Sequence, residues 1–189
     1  MIHDVTLAGH GVRLDPLEVA DAVALWPLTD DELWAGMVSP RPASVAEYAD
    51  HVEAQLANPT TLAFTVRGSD EGEVRGTTTL YDLVPAQGRV EIGSTWYGRP
   101  FWGGRTNPAA KLLLLSHAFE TLDLNRVALR CDARNLRSAA AIRRLGAVPE
   151  GVLRSHRVAA DGSLGDTAYF SIVRDEWPAV RAGLEARLG

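Results

Sequence analysis

Between Arg99 and Asn107 the chain reads Arg-Pro-Phe-Trp-Gly-Gly-Arg-Thr-Asn, and Pro108 and a run of small and apolar residues follow. Asparagine before proline is a helix-start signature: Asn107 as N-cap, and Pro108 at the first helical position, where its missing N–H costs nothing. Gly103 and Gly104 just ahead of that start leave backbone N–H groups exposed. With the positive end of the helix dipole these make an anion site suited to a pyrophosphate, and Arg99 and Arg105 are close enough in sequence to add charge-assisted contacts. A tight turn that happens to contain glycine fits the same string. Other reactive side chains are sparse. Cys131, the one cysteine, closes an apolar stretch from Val127, the setting of a buried inert thiol. The five histidines show no metal-ligand spacing with one another or with that cysteine, so no metal is expected.

The charge pattern agrees with a local anion site. The net charge of -5 conceals a contrast: residues 1–98 carry 5 Lys/Arg against 15 Asp/Glu, whereas residues 99–157 carry 11 against 4. One basic segment in an acidic chain points to a local polyanion ligand rather than to a general affinity for nucleic acid, although a solvated basic helix face gives the same count. Met1 precedes IHDVTLAGHG, with neither a basic n-region nor an apolar run, and no stretch approaches the ~20 apolar residues of a membrane span. A soluble, cytoplasmic protein is expected, without membrane or nucleic-acid partners. At 189 residues and 46% hydrophobic content, one domain over 1–189 can bury its own core.

The elements that must hold these residues read as one mixed α/β unit. Residues 12–14 read as a strand entering a helix with Val19, Ala20, Val23 and Ala24 on one face, ended at Pro27. Ser44 and Glu47 form a capping-box signature for a second helix, with Val45, Tyr48, Ala49, Val52 and Leu56 on one face. Residues 61–66 and 74–84 read as a hairpin. Residues 89–97 read as a third antiparallel strand, with Val90, Ile92, Ser94 and Trp96 alternating against Glu91, Gly93, Thr95 and Tyr97. The helix after Asn107 carries Leu112, Leu115, Phe119 and Leu122 on one stripe. A strand over 126–131 and a helix from the Asn135 cap to Leu145, stopped by Gly146, follow. Residues 148–158 and 168–173 read as a final antiparallel pair joined at Asp161-Gly162, and 176–188 as a last helix.

The run Asn135-Leu-Arg-Ser138-Ala-Ala-Ala141-Ile142-Arg-Arg-Leu145-Gly146-Ala147 resembles the N-x-x-S-x-x-A-I-x-x-L-G-A string of GNAT acetyltransferases of the RimJ/RimL-like branch, and it stands at the matching distance after the glycine-bearing loop. Glu150-Gly151, Leu153-Arg154, Asp161-Gly162, Asp166, Tyr169, Ser171 and Glu176-Trp177 are similar to that family's last strands and helix. The resemblance covers roughly residues 89–178. It implies the GNAT fold, an α/β (α+β) arrangement whose mostly antiparallel mixed sheet is splayed at the central strands with helices on both faces. It also implies acetyl-CoA as co-substrate and a primary amine as acceptor, either a protein N-terminus or a small molecule. Homodimers are common among such relatives.

By that resemblance the strand over 91–96, with Thr95 and Trp96, holds the pantetheine, and a backbone N–H near Trp96 polarises the thioester carbonyl. Gly103, Gly104, Arg105, Thr106 and Asn107 hold the pyrophosphate, Asn135 touches the pantetheine arm, and Ser138 lies near the sulfur as its acid. The loop departs from the family's Q/R-x-x-G-x-G/A run, with Trp102, Arg105 and Asn107 at its key positions, so the cradle leans on Arg99 or Arg105. Glu91, on the face opposite Val90 and Ile92, is the first candidate for the base that takes the amine proton, directly or through water. A carboxylate paired with an arginine on a neighbouring strand is the competing reading. His156 is a second candidate base. The connection from Trp26 to Pro42, with Trp34 and Asp30-Asp31-Glu32, suits a cationic acceptor or is a solvated loop with partly buried tryptophans. A CoA-binding module without catalysis is the alternative function, and a nucleic-acid binder using Arg134, Arg137, Arg143 and Arg144 is disfavoured by the acidic remainder.

Overall fold

The computed structural model describes residues 3–37, 39–159 and 162–189. Among these, eight strands form one sheet: β1 (Leu7–Gly9), β2 (Val12–Pro16), β3 (Leu62–Gly68), β4 (Val74–Val84), β5 (Arg89–Tyr97), β6 (Arg126–Asp132), β7 (Val148–Val158) and β8 (Leu164–Val173). Their spatial order is β1-β2-β3-β4-β5-β6-β8-β7, antiparallel throughout except for the parallel β5–β6 pair. That pair is parallel because a helix, α4 (Thr106–Ser116), crosses between the two strands.

Each face of the sheet has its own cover. Leu80, Val90, Ile92, Val127, Leu129 and Phe170 belong to a core closed by α4 and by α6 (Trp177–Leu188), which contribute Leu112, Leu115, Val180 and Leu184. On the other face Ala63 and Trp96 pack with residues of α1 (Ala22–Leu25), α2 (Asp31–Trp34) and α3 (Val45–Leu56), among them Leu25, Trp34, Tyr48 and Val52. Ser44 caps α3 by accepting from the Glu47 N–H, and Glu47 reaches back to the Ala43 N–H. α5 (Leu136–Arg144) starts at Asn135, whose side chain accepts from the Ser138 N–H at 2.9 Å.

Several expectations change. A short strand, β1, precedes the one expected at 12–14 and returns through left-handed His10 and Gly11. The first helix is a 3-10 turn over Val19–Asp21 followed by the four-residue α1, and the irregular connection contains α2, capped by Asp30 accepting from the Leu33 N–H. α4 begins at Thr106, with Arg105 before it and no side-chain cap, so Asn107 is its second residue rather than its N-cap. Pro108 still sits in the first turn, where N–H groups lack intrahelical partners. β8 begins at Leu164, earlier than 168; of the expected turn, Gly162 has φ 81° and Asp161 lies outside the described residues.

The largest correction is in β5. Thr79 pairs with Gly93 but Thr77 pairs with Trp96, so Ser94 and Thr95 together oppose Thr78 in a bulge, with Ser94 at φ 45°. One extra residue reverses the alternation beyond it. Tyr97 therefore shares a core with Val90 and Ile92, while Trp96 packs on the opposite face.

Candidate active site

β5 and β6 pair only from Arg89↔Arg126 to Ile92↔Leu129. Beyond Ile92 the strands part, and a cavity of about 520 Å³ occupies the opening. One wall is the unpaired edge of β5 from Gly93 to Tyr97, and the opposite wall is Cys131 of β6 with Asn135, Ser138 and Ile142 of α5. Gly103, Gly104, Asn107 and Pro108 close the end at the start of α4. Gly103 has φ 71° with open space where a Cβ would stand, a conformation that favours glycine. A strand edge with free backbone groups, ending at the positive end of an eleven-residue helix, fits an extended arm that carries an amide chain at one end and an anion at the other.

A second cleft, about 600 Å³, adjoins the first through shared Gly36, Asn135 and Arg137. Asp31, Glu32, Trp34 and Arg41 line it on one side, Asp132 and Arg134 on the other. The two halves meet closely, because a Cβ on Gly36 would lie 2.9 Å from Asn135 Nδ2. Trp34 is buried, its indole N–H donating to the Ser39 carbonyl at 3.0 Å, so the connection holds its tryptophan in the core rather than in solvent. Arg134 and Arg157 hold the Asp132 carboxyl down to about 2, the Arg134 hydrogen bond being the main cause.

The structure brings Thr95, Trp96, Gly103, Gly104, Asn107, Asn135 and Ser138 to one cavity. It does not bring the two loop arginines there. Arg99 donates to Asp30 at 2.5 Å and to Glu32 at 2.7 Å, and the Arg105 guanidinium donates to the Leu188 carbonyl. The Thr106 side chain is buried and accepts from Arg75 Nη1 at 3.2 Å. Trp102 lines the cavity with Arg137 over its ring, 3.8 Å from the centroid, and the arginines that reach the cavity come from outside the loop, Arg144 and Arg187 among them. Ser138 has a thiol neighbour: burial pushes Cys131 up, and its hydrogen bond with Ser138 opposes that shift.

Glu91 is buried on the face shared with Tyr81. Tyr81 donates to Glu91 Oε2 at 2.8 Å, and Arg130 Nε lies 3.3 Å from the same oxygen. Arg130 also donates to the Tyr81 and Tyr169 hydroxyls, at 2.9 and 2.7 Å. Thus Glu91 has the neighbouring-strand arginine that the competing reading requires, and Arg130, not Glu91, reaches the cavity wall. His156 sits on β7 with Nδ1 3.1 Å from Thr167 Oγ1 and lines neither cleft.

Sequence reasoning passed over Lys111, which is 5% exposed and lines the cavity with Nζ 2.8 Å from Thr95 Oγ1 and 3.2 Å from Thr78 Oγ1. Burial holds its pKa at about 7. The available signal was a lone charge in the otherwise apolar run Ala109-Ala-Lys-Leu-Leu-Leu-Leu115.

Residues 12–148 match the model of the acetyltransferase (GNAT) domain. The chain belongs to the GNAT acetyltransferase family. A Bacillus subtilis protein described as "Putative ribosomal N-acetyltransferase YdaF" is 34% identical over 107 residues, 57% of either chain. A solved GCN5-related N-acetyltransferase from Brucella melitensis superposes with a TM-score of 0.92 at 29% identity, over 99% of this chain and 86% of that one. RimJ of Mycobacterium smegmatis, solved in complex with CoA-disulfide, has the same fold with a TM-score of 0.80 at 23% identity, covering 97% and 94%. The family match and the relatives indicate N-acetyltransferase activity.

Proposed function

We propose that this acetyltransferase moves an acetyl group from acetyl-CoA to a primary amine by direct attack in a ternary complex, as one domain over residues 1–189. The observation that carries the reading is the pair of adjoining clefts, one running along the open edge of β5 and the other meeting it at Asn135. Gly103, Gly104 and Asn107, with the backbone of Arg105 and Thr106 at the start of α4, take the pyrophosphate; the β5 edge at Thr95 and Trp96 and the Asn135 amide take the pantetheine arm. The amine enters from the second cleft, its nitrogen attacks the thioester carbonyl, the C–S bond breaks, and Ser138 supplies the proton to the sulfur. Glu91 takes the amine proton through water, with the Tyr81 hydroxyl and Arg130 fixing its carboxylate.

Asp31 and Glu32 line the second cleft beside Arg41, Arg134 and Arg137, so the acceptor meets groups of both signs there. A ribosomal acceptor is suggested by the description of the Bacillus subtilis relative, and a protein N-terminus is the primary amine that this reading assigns to it. Among the described residues no helix is long and apolar enough to cross a membrane; a cytoplasmic location is part of the same proposal. A homodimer belongs to the same reading. β7 is an edge strand eleven residues long and exposed along nearly all its length, with Val148, Val152, Leu153 and Val158 each 46–56% exposed, and such edges invite pairing.

The test is calorimetric titration with acetyl-CoA, then mass spectrometry of an acceptor panel containing ribosomal-protein N-terminal peptides, polyamines and amino acids. Saturable binding with a mass gain on an amine supports transfer. Binding with no acetylated amine in any class supports the binding module, and no binding removes both readings.

A further inference from the structure

The bulge in β5 needs support that the sheet does not supply. Ser94 holds a left-handed φ of 45° without being glycine, and among the described residues no strand pairs with the far edge of β5 beyond Ile92. A strained backbone beside a cavity persists only where its surroundings over-determine it. Three side chains do so from below. Thr78 and Thr95 share a hydrogen bond at 2.8 Å between their hydroxyls, and Lys111 Nζ sits 3.2 and 2.8 Å from the same two oxygens. Thr95 Oγ1 also reaches the Gly93 carbonyl at 3.2 Å, and Thr77 Oγ1 reaches the Ser94 carbonyl at 3.3 Å, which stitches both ends of the bulge.

Lys111 is an odd residue for the inside face of α4. It is buried, it lies among Ala110, Leu112 and Leu115 of the core, and among the described residues no carboxylate pairs with it. Burying an amine without a counter-charge is costly, and a methionine would fill the same space at no such cost. What the amine adds is the hydrogen bonding that fixes Thr95, the residue before Trp96 on the cavity wall.

We propose that Lys111 is a positioning residue for acetyl transfer: by tying Thr95 and Thr78 together under the β5 bulge, it sets the edge of β5 against which the thioester is aligned. This rests on the acetyl-transfer reading above. Lys111 acts through the strand rather than on the substrate, so its loss falls on the alignment of the reacting carbonyl. The contacts at the start of α4 and at Asn135 are left in place.

The experiment compares full-length wild type with Lys111→Met, Lys111→Gln, Thr95→Val and the Lys111→Met/Thr95→Val double variant, measuring acetyl-CoA Kd by calorimetry and kcat with an amine that wild type acetylates. Lys111→Met is expected to keep the Kd within about threefold while kcat falls about tenfold or more, the scale of a small misalignment. Lys111→Gln retains a neutral donor and is expected to recover several-fold of that loss, as a purely space-filling role would not. The double variant is expected to be no slower than the worse single one, because the two groups act as a unit. An unchanged kcat in Lys111→Met, equal losses in the Met and Gln variants, or additive losses in the double variant would each overturn the proposal. Wild type that fails to bind acetyl-CoA would overturn the acetyl-transfer reading and this proposal together. Wild type that binds and transfers beside unaffected variants would overturn this proposal alone.

Discussion

Replacing Lys111 by methionine should change how stability depends on pH, independently of any effect on catalysis. In the unfolded chain the lysine keeps its proton up to its ordinary value of 10.5, whereas burial makes the folded protein release it at about 7. Between those two values the unfolded state binds more protons, so wild-type stability rises with pH across that window; below about 7 and above 10.5 this group contributes no slope. A shift of one pKa unit corresponds to ~1.4 kcal/mol, and since the group is half protonated at pH 7, wild type should gain about 2 kcal/mol between pH 7 and pH 9 from this residue. For a chain of this size that is roughly 4–8 °C in Tm. Lys111→Met removes the titration and keeps most of the packing. Its melting curve should therefore lack that rise, and the wild-type-minus-variant difference isolates the lysine from the lowered histidines His3, His51 and His117, which both proteins share. Urea unfolding or calorimetry at pH 7, 8 and 9 measures it. Parallel stability–pH profiles for the two proteins would show that the folded protein holds Lys111 charged, and would refute the reasoning from burial.

Three further outcomes follow from the site and the edge strand. Glu91→Gln should leave acetyl-CoA affinity near wild type and lower kcat by ~10²-fold or more if Glu91 is the base, with a loss that shrinks as pH rises and the amine arrives deprotonated; a fall in Tm with an unchanged pH–rate profile would assign it to the Arg130 and Tyr81 pairing alone. Asn135→Ala should weaken CoA binding by roughly 0.5–2 kcal/mol, from a lost ligand contact or a loosened α5 start, and a lowered melt with unchanged affinity would make the residue a cap only. Val152→Lys, on the exposed edge strand, should shift the protein from dimer to monomer in light scattering at ~10 μM while Tm moves little, and a wild type already monomeric at that concentration would dismiss the dimer.

Local order was legible in the chain. The strands at 74–84, 89–97 and 148–158, the capping box at Ser44 and Glu47 and the Asn135 cap stand where the residues indicated, because each depends on neighbours within a few positions. The Asn135 to Ala147 string resembled the family that the residue 12–148 match establishes. The antiparallel neighbours among 61–66, 74–84 and 89–97, and the pair 148–158 and 168–173, were legible too, but the register between strands and the partners of charged side chains were not. The bulge at Ser94–Thr95 depends on how β4 lines up with β5, and one extra residue there moved Trp96 to one core and Tyr97 to the other. Whether Glu91 is free or paired depends on Arg130, thirty-nine positions away, lying on the adjoining strand. Arg99 and Arg105 read as phosphate ligands by their distance along the chain, yet Asp30, Glu32 and the Leu188 carbonyl claim them through contacts between residues 67 to 83 positions apart. Lys111, a lone charge in an apolar run, is set beneath two threonines only by the packing of α4 on the sheet. Propensity, capping and spacing are short-range and so are written in the order of residues, while charge pairing and burial are set by which strands lie side by side, and that follows from closing the whole sheet.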